Sequence, residues 1–130
     1  MDILLVDDHA PTRREMISLM DGVEGLDVVG EAGGGAEGVQ AADRLRPDLV
    51  VMDVVMPGMN GIEATRAILA SYPETRVLAL SNHTGRNLVQ AVLDAGAAGY
   101  VRKDRAYEEL IPAIRAVAAG RNYIGGRLDD

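Results

Sequence analysis

Short, unbroken apolar runs alternate along the chain with longer stretches in which apolar residues recur at every third or fourth position. An apolar run without polar alternation is typical of a strand that is buried on both faces of a sheet. The pattern predicts five strands, which contain residues 3–6, 26–29, 49–52, 77–80 and 99–101.

The stretches between these runs have the spacing of amphipathic helices. The helical faces are marked by Met16, Leu19, Met20 and Val23, by Ile62, Thr65, Leu69 and Tyr72, and by Leu110, Ile111, Ile114, Val117 and Ala118. Proline suits a first helical turn or a position beyond a helix, and glycine suits a C-terminal cap. The expected boundaries are marked in this way by Pro11, Gly22, Pro47, Pro73, Gly96 and Gly120.

A helix is therefore expected after each strand. Units of this kind joined by short loops require right-handed crossovers, and they give an open parallel sheet with helices on both faces. The predicted fold class is a doubly wound α/β domain with five parallel strands. In such domains the functional crevice lies at the carboxyl ends of the strands.

Composition narrows the classes of function. The 130 residues suit one domain, and 20 acidic against 13 basic side chains give a formal charge of −7, which disfavours direct binding of nucleic acid. The chain has no cysteine and hence neither a disulfide nor a thiolate metal site. It has no signal-peptide pattern and no apolar stretch that could cross a bilayer. We expect a soluble, cytoplasmic domain.

Polar residues follow four of the five predicted strands, at the edge where function is expected. They are Asp7, Asp8, Asp53, Ser81 and Lys103. Clustered carboxylates do not all stay ionised unless a cation shares the site, and Mg²⁺ prefers oxygen ligands. Beside such an ion, an aspartate can attack phosphorus as a nucleophile, while an ammonium and a hydroxyl stabilise the transferring oxygens. Asp53, Lys103 and Ser81 have the chemistry for these three roles.

Each residue alone also has a purely structural interpretation. Paired aspartates after a strand often cap a loop or helix, and the Pro57-Gly58 turn followed by Asn60 as an N-cap explains the segment after Asp53 without chemistry. Tyr100 has the pattern of a core aromatic with a polar tip. Their combination at one edge of the sheet, rather than any single residue, favours a functional site.

The segment from Gly33 to Gly38 formally matches the dinucleotide-binding pattern G-x-G-x-x-G. Glu31 and Ala32 separate the strand from the first glycine, and no acidic residue is evident that would bind a ribose. We interpret this segment as a flexible loop, and a nucleotide- or flavin-binding module is a disfavoured alternative.

Taken together, these motifs resemble the response-regulator receiver domain, which accepts a phosphoryl group from a histidine kinase, and the likeness covers nearly the whole chain. It rests on the Asp7-Asp8 pair, on Asp53 followed by Met-Pro-Gly-Met-Asn-Gly at 56–61, on Ser81, and on Tyr-Val-Arg-Lys-Asp at 100–104. The segments at 6–9, 29–32, 81–83 and 95–100 are most similar to the receivers of NarL/LuxR-type transcription factors.

The resemblance implies a flavodoxin-like (βα)5 fold with strand order 2-1-3-4-5 and a role for each site residue. Asp53 is the expected phosphorylation site, Lys103 and Ser81 contact the phosphoryl group, and Tyr100 responds to Ser81 as a switch. The implied Mg²⁺ ligands are the carboxylates of Asp7, Asp8 and Asp53 and the backbone carbonyl of Val55. His83 and Asn82 lie where side chains could tune the lifetime of the acyl phosphate, whereas His9 is interpreted as a loop residue.

The expected function is that of a phosphoacceptor receiver domain over residues 1–121, followed by a linker or tail over 122–130. The implied partner is a sensor histidine kinase, a homodimer is left open, and the implied output is transcription through a DNA-binding domain absent from this chain. A stand-alone receiver that acts by protein contacts is the alternative. An aspartate-dependent phosphohydrolase is less favoured, since such enzymes place an acid two residues after the nucleophile, where this chain has Val55. No enzymatic turnover is expected beyond self-phosphorylation and slow self-dephosphorylation.

Overall fold

The structure is a computed structural model that describes residues 1–82 and 85–125. Its centre is a parallel sheet whose strands, in chain order, are β1 (Asp2–Val6), β2 (Asp27–Ala32), β3 (Leu49–Asp53), β4 (Arg76–Ser81), β5 (Gly99–Arg102) and β6 (Tyr123–Ile124). Their order across the sheet is β2-β1-β3-β4-β5-β6. The predicted order of the first five strands is confirmed.

Five helices cover the two faces of the sheet. They are α1 (Ala10–Met20), α2 (Gly35–Leu45), α3 (Gly61–Ser71), α4 (Arg86–Asp94) and α5 (Ala106–Ala118), the last preceded by a 3₁₀ turn over Lys103–Arg105. One apolar layer packs α1 and α5 against the sheet, and the other packs α2, α3 and α4 against the opposite face. Because both faces are covered, the central strands are apolar throughout, as the sequence predicts.

The predicted helix boundaries agree with the backbone. Pro11 lies in the first turn of α1, and the glycines predicted as C-terminal caps have positive φ angles of 74° at Gly22, 112° at Gly96 and 84° at Gly120. These angles are the left-handed conformation that ends a helix at low steric cost for glycine. Val23 falls beyond the end of α1, where its amide donates to the Met20 carbonyl in the closing turn.

The sixth strand is a difference from the predicted five. Tyr123 and Ile124 lie in the segment predicted as linker or tail, but the Tyr123 amide donates to the Ala98 carbonyl at 3.1 Å and the Gly125 amide donates to the Tyr100 carbonyl at 2.8 Å. After α5 the chain thus returns alongside β5 and covers its free edge. A two-residue strand has too short a pattern to be recognised from sequence.

The prediction of a flexible loop from Gly33 to Gly38 is wrong from Gly35 onward, because Gly35 and Gly38 lie in the first turn of α2. A Cβ atom on Gly35 would lie 2.2 Å from the Met59 carbonyl oxygen, and one on Gly38 would lie 3.0 Å from the Val6 side chain. These glycines therefore allow α2 to approach both β1 and the loop after β3. Their packing role explains the motif without a nucleotide.

Candidate functional site

The parallel register brings the residues that follow the strands to one edge of the sheet. Val6 of β1 pairs with Met52 of β3, and Ser81 of β4 pairs with Arg102 of β5. The residues that directly follow Val6, Met52 and Arg102 therefore lie side by side at this edge. At this edge the structure brings together all five residues singled out from the sequence, namely Asp7, Asp8, Asp53, Ser81 and Lys103.

Lys103 joins two buried carboxylates. Its Nζ atom lies 2.8 Å from Asp7 Oδ2 and 3.1 Å from Asp53 Oδ2, and its side chain is only 13% exposed. Burial alone lowers the pKa of Lys103, but contact with the two carboxylates outweighs burial and leaves the pKa above its ordinary value. The ammonium group is therefore charged at neutral pH.

Lys103 is also the only lysine of the chain, since all the other members of its 13 lysine and arginine side chains are arginines. An ammonium on a flexible stem can move with a bound oxyanion, whereas a guanidinium is a rigid planar fork. Because the chain has a single lysine, the sequence alone could have indicated that position 103 has a special role.

Asp53 ends β3 and is 3% exposed. Burial raises its pKa from 3.8 to about 6; the charge of Lys103 opposes this rise, Asp7 adds to it, and a hydrogen bond from the Val55 backbone amide lowers it slightly. One ammonium is thus not enough to give this carboxylate its ordinary acidity. A second cation at the site would favour the ionised form that a nucleophile needs.

The acidic cluster fits a hard divalent cation. One oxygen from each of Asp7, Asp8 and Asp53 lies within 4.8 Å of the others. Asp7 Oδ2 is buried and accepts no hydrogen bond of good geometry, although the Lys103 ammonium is near. The exposed Asp8 carboxylate has no hydrogen-bond or ion-pair partner among residues 1–82 and 85–125. An all-oxygen donor set with spare lone pairs suits Mg²⁺.

These groups line an open cleft of about 400 Å³ at the carboxyl ends of the strands. Asp7 lies beneath it, and the lining is formed by Asp8, His9, Thr12, Asp53, Val55, Ser81, Asn82 and Lys103. The position two residues after Asp53 offers no acid or base to the cleft, because the half-exposed side chain of Val55 is aliphatic. The cleft has room for a phosphoryl group and solvent.

The loop between β3 and α3 is held close to Asp53. Asn60 and Glu63 form a reciprocal capping box at the start of α3, with the Glu63 amide donating to Asn60 Oδ1 at 2.9 Å. A Cβ atom on Gly61 would lie 2.1 Å from the Asp53 carbonyl oxygen, and the Gly61 amide donates to the Val54 carbonyl at 2.9 Å. Glycine at this position lets the helix start directly against the end of β3.

Ser81 and Tyr100 occupy neighbouring strands. Ser81 ends β4 at the cleft and is 1% exposed, while Tyr100 on β5 is fully buried in the apolar layer beneath α2, α3 and α4. Tyr100 was also open to interpretation as core packing, and its ring does pack in the core. The backbone pairing of Ala79 with Tyr100 and of Ser81 with Arg102 ties the two strands together at this point.

His9 has more than the loop role predicted for it. It precedes α1 as the N-cap residue and lines the cleft, and its Nδ1 atom lies 2.6 Å from Thr12 Oγ1. Thr12 was missed because an isolated threonine in a first helical turn looks like an ordinary solvated residue. Asn82 is exposed at the rim, and His83, proposed to tune the site, lies outside the described residues.

None of the helices within residues 1–82 and 85–125 combines the length and apolar character needed to cross a membrane.

Comparison with known proteins gives the family. The sequence model of the response regulator receiver domain family matches residues 3–115 of this chain. The chain is 41% identical over 126 residues to the response regulator GacA of Pseudomonas viridiflava, an alignment that covers 97% of this chain and 59% of the relative. It is 40% identical over 124 residues to the response regulator UvrY of Escherichia coli, covering 95% of this chain and 57% of that protein.

A solved structure gives the same result in three dimensions. The LuxR-family two-component response regulator from Aurantimonas sp. SI85-9A1 superposes with a TM-score of 0.90 at 39% sequence identity, over 94% of this chain and 87% of that one. The chain spans less than two thirds of the curated relatives it matches. The chain therefore belongs to the response regulator receiver domain family and, within it, is similar to the receivers of NarL/LuxR-type regulators.

Proposed function

We propose that this domain takes a phosphoryl group from a histidine kinase onto Asp53 in a Mg²⁺-dependent reaction and changes conformation in response. The observation that carries the proposal is the contact of a buried carboxylate with a partly buried ammonium that line the same cleft, Asp53 Oδ2 to Lys103 Nζ at 3.1 Å. A nucleophile and a charge that stabilises its product are thus adjacent.

In the proposed reaction a carboxylate oxygen of Asp53 attacks phosphorus. The bond between phosphorus and the imidazole nitrogen of the kinase histidine breaks, the electron pair leaves with the imidazole, and an acyl phosphate forms on Asp53. Lys103 then pairs with the phosphoryl oxygens, and the Ser81 hydroxyl donates to one of them. Mg²⁺, held by the carboxylates of Asp7, Asp8 and Asp53 and by the Val55 carbonyl, would neutralise charge on the transferring oxygens.

The same contacts supply the switch. Phosphorylation shifts a conformational equilibrium only by the difference in contact energy between two states. Ser81 is the residue that would move toward the phosphoryl group. Ser81 pairs with Arg102 on β5, and Tyr100, two residues before Arg102, would repack when Ser81 moves. We propose that the face built by α4, β5 and α5 reports this change to partners.

The domain acts as a stoichiometric acceptor, not as a hydrolase. An aspartate-dependent phosphohydrolase needs an acid or base near the nucleophile to activate water, and the half-exposed Val55 side chain cannot serve. Slow loss of the phosphoryl group would then depend on water entering past the rim, where Asn82 lies. A tuning role of His83 stays a prediction from the sequence.

The output is proposed from the family. NarL/LuxR-type regulators are transcription factors, so we propose that this chain is the receiver of a regulator that acts on DNA through another domain. The expected boundary after residue 121 moves beyond β6, because Tyr123 and Ile124 pair with β5. A sensor histidine kinase is the proposed phosphodonor, in the cytoplasm. Action by protein contacts alone, including a homodimer, is the alternative.

Incubation with a small acyl-phosphate donor and Mg²⁺, followed by intact mass, tests the proposal. We expect one phosphoryl group per chain in the wild type and none in Asp53→Asn or when EDTA replaces Mg²⁺. Asp21→Asn is the matched control, because Asp21 is an exposed aspartate at the far end of α1. Continuous release of phosphate, or an adduct that persists in Asp53→Asn, would contradict the proposal.

A further inference from the structure

Arg13, on the first helical turns of α1, reaches back to the acidic edge of the sheet. Its Nη1 atom donates to the backbone carbonyl of Asp7, and its Nε atom donates to Glu31 Oε1 at 3.0 Å. The side chain is 20% exposed, against 46% for Glu31. One guanidinium therefore connects α1 to the ends of two strands.

The carbonyl that Arg13 holds belongs to the peptide between the two acidic neighbours Asp7 and Asp8. Strand pairing stops just before it: β1 ends at Val6, and the Asp7 amide, directly after the strand, donates to the Ala32 carbonyl at 3.0 Å. The amide of His9, which follows Asp8, donates to Oδ1 of the Asp7 side chain at 2.8 Å. Beyond the sheet, the direction of this peptide thus depends on Arg13.

Asp8 has little else to orient it. Its carboxylate is exposed and has no bonded partner in the described parts of the chain, yet one of its oxygens lies within 4.8 Å of those of Asp7 and Asp53. Rotation of the Asp7–Asp8 peptide would carry the Asp8 side chain out of this cluster. Holding the carbonyl therefore holds the cluster geometry.

Glu31 offsets the positive charge that Arg13 places near the proposed cation site. A lone guanidinium this close would repel a divalent ion, but the contact with Glu31 at 3.0 Å balances its charge. The planar group with several fixed donors also suits two simultaneous acceptors, which a lysine ammonium on a flexible stem matches less well. Arg13 and Glu31 thus act as a pair.

We propose that Arg13, oriented by Glu31, is a positioning residue of the divalent-cation site, which it serves by fixing the Asp7–Asp8 peptide. The inference rests on the proposed function, because it assumes that the acidic cluster binds Mg²⁺. Arg13 itself touches neither the ion nor the phosphoryl group. Its effect is on the orientation of Asp8.

The test compares Arg13→Gln with Arg14→Gln by Mg²⁺ titration of the full chain, followed by calorimetry and by the amide resonances of residues 7–9. Arg14 is the adjacent arginine on the same helix, is exposed, and lines the groove between α1 and the start of α5 rather than the acidic cleft. Loss of an outer-shell partner of a ligand commonly weakens metal binding about 10- to 100-fold. We expect a weakening of about tenfold in Arg13→Gln and unchanged affinity in Arg14→Gln.

Two further variants separate positioning from folding. Arg13→Lys keeps the positive charge and a donor group without the planar fork, so it should retain part of the Mg²⁺ affinity that Arg13→Gln loses. Glu31→Gln should show an intermediate loss, with both proteins folded as judged by urea unfolding in EDTA. If Arg13→Gln does not fold, the comparison rests on these two. Wild-type Mg²⁺ affinity in Arg13→Gln would overturn the positioning role but not the proposed function. If Arg13→Gln does not fold, wild-type affinity in both Arg13→Lys and Glu31→Gln would do the same. Failure of the wild type to bind Mg²⁺ overturns the proposed function as well.

Discussion

The buried carboxyl of Asp53 is destabilising in the cation-free protein. With the pKa raised from 3.8 to about 6, the folded chain binds this proton more tightly than the unfolded chain does. Folding stability is then unaffected below pH 4, falls as the pH rises between the two values, and stays lower above pH 6. Binding of a cation or a phosphoryl group at Asp53 would offset this loss of folding stability.

Asp53→Asn should therefore stabilise the protein in EDTA at neutral pH. A pKa near 6 instead of 3.8 corresponds to about 3 kcal/mol as an upper limit, at 1.36 kcal/mol per pKa unit. We expect the free energy of unfolding, measured by urea titration, to rise by about 1–3 kcal/mol at pH 7.5 and to change little at pH 4. Asp21→Asn is the exposed control. Equal stability of Asp53→Asn and wild type at both pH values would contradict the burial penalty.

At the residue scale, sequence was informative where chemistry coincides with a strand end. Asp7, Asp8, Asp53, Ser81 and Lys103 could be selected because each follows an apolar run. Thr12 and Arg13 could not, because both lie in a helix whose polar positions look solvated, and only the packing of the first turns of α1 beside the ends of β1 and β2 brings them to the site. The pairing of Arg13 with Glu31 spans 18 residues, and no local pattern encodes it.

At the scale of elements, short apolar runs made the five main strands predictable. Burial on both faces explains the nearly unbroken runs of β1, β3 and β4, whereas exposed residues alternate along the edge strand β2. The glycine-rich segment could not be interpreted correctly from its composition, because glycine favours both loops and close packing. At Gly35 the deciding fact is a Cβ position 2.2 Å from the Met59 carbonyl. β6 could not be predicted, because two residues carry no periodicity and because the groups that hold it lie in β5 and its preceding turn and on α5, distant in sequence.

The main side-chain contact of β6 gives a prediction. The Tyr123 hydroxyl donates to Glu109 Oε1 at 2.8 Å in a partly buried setting, so Tyr123→Phe leaves a carboxylate with one bond fewer. A hydrogen bond to a charged group contributes about 1.5–3 kcal/mol at most and less when exposed, so we expect a loss of roughly 1 kcal/mol in unfolding free energy. The amide of Gly125, which donates to the Tyr100 carbonyl, should exchange faster with solvent.

Tyr107→Phe is the matched control for that experiment. Tyr107 is 82% exposed at the start of α5, so loss of its hydroxyl should leave both stability and Gly125 exchange unchanged. Faster exchange in both variants would indicate a general effect on α5, and no change in either would mean that β6 does not depend on the Glu109 contact.

At the scale of the whole molecule, ligand binding and folding stability are linked. A chain of formal charge −7 that collects three carboxylates at one cleft attracts cations there and repels anionic donors until a cation is bound. Any ligand that binds the folded state alone stabilises it, by about 2.7 kcal/mol at a concentration 100 times its dissociation constant. Mg²⁺ should therefore raise the unfolding temperature of the entire domain, even though it contacts only its carboxyl edge.

Asp8→Asn isolates this linkage better than any other substitution at the cleft. Because the Asp8 carboxylate is exposed and unbonded within the described residues, its loss should leave the unfolding temperature in EDTA unchanged, as for an ordinary surface change. In saturating Mg²⁺ the wild type should gain on the order of 5–10 °C, at roughly 4 °C per kcal/mol for a domain of this size, and Asp8→Asn should lose most of that gain. Differential scanning calorimetry in both buffers gives the comparison. A Mg²⁺-dependent rise of equal size in both proteins would show that the ion binds elsewhere, and a loss of stability in EDTA would show that Asp8 supports the fold directly.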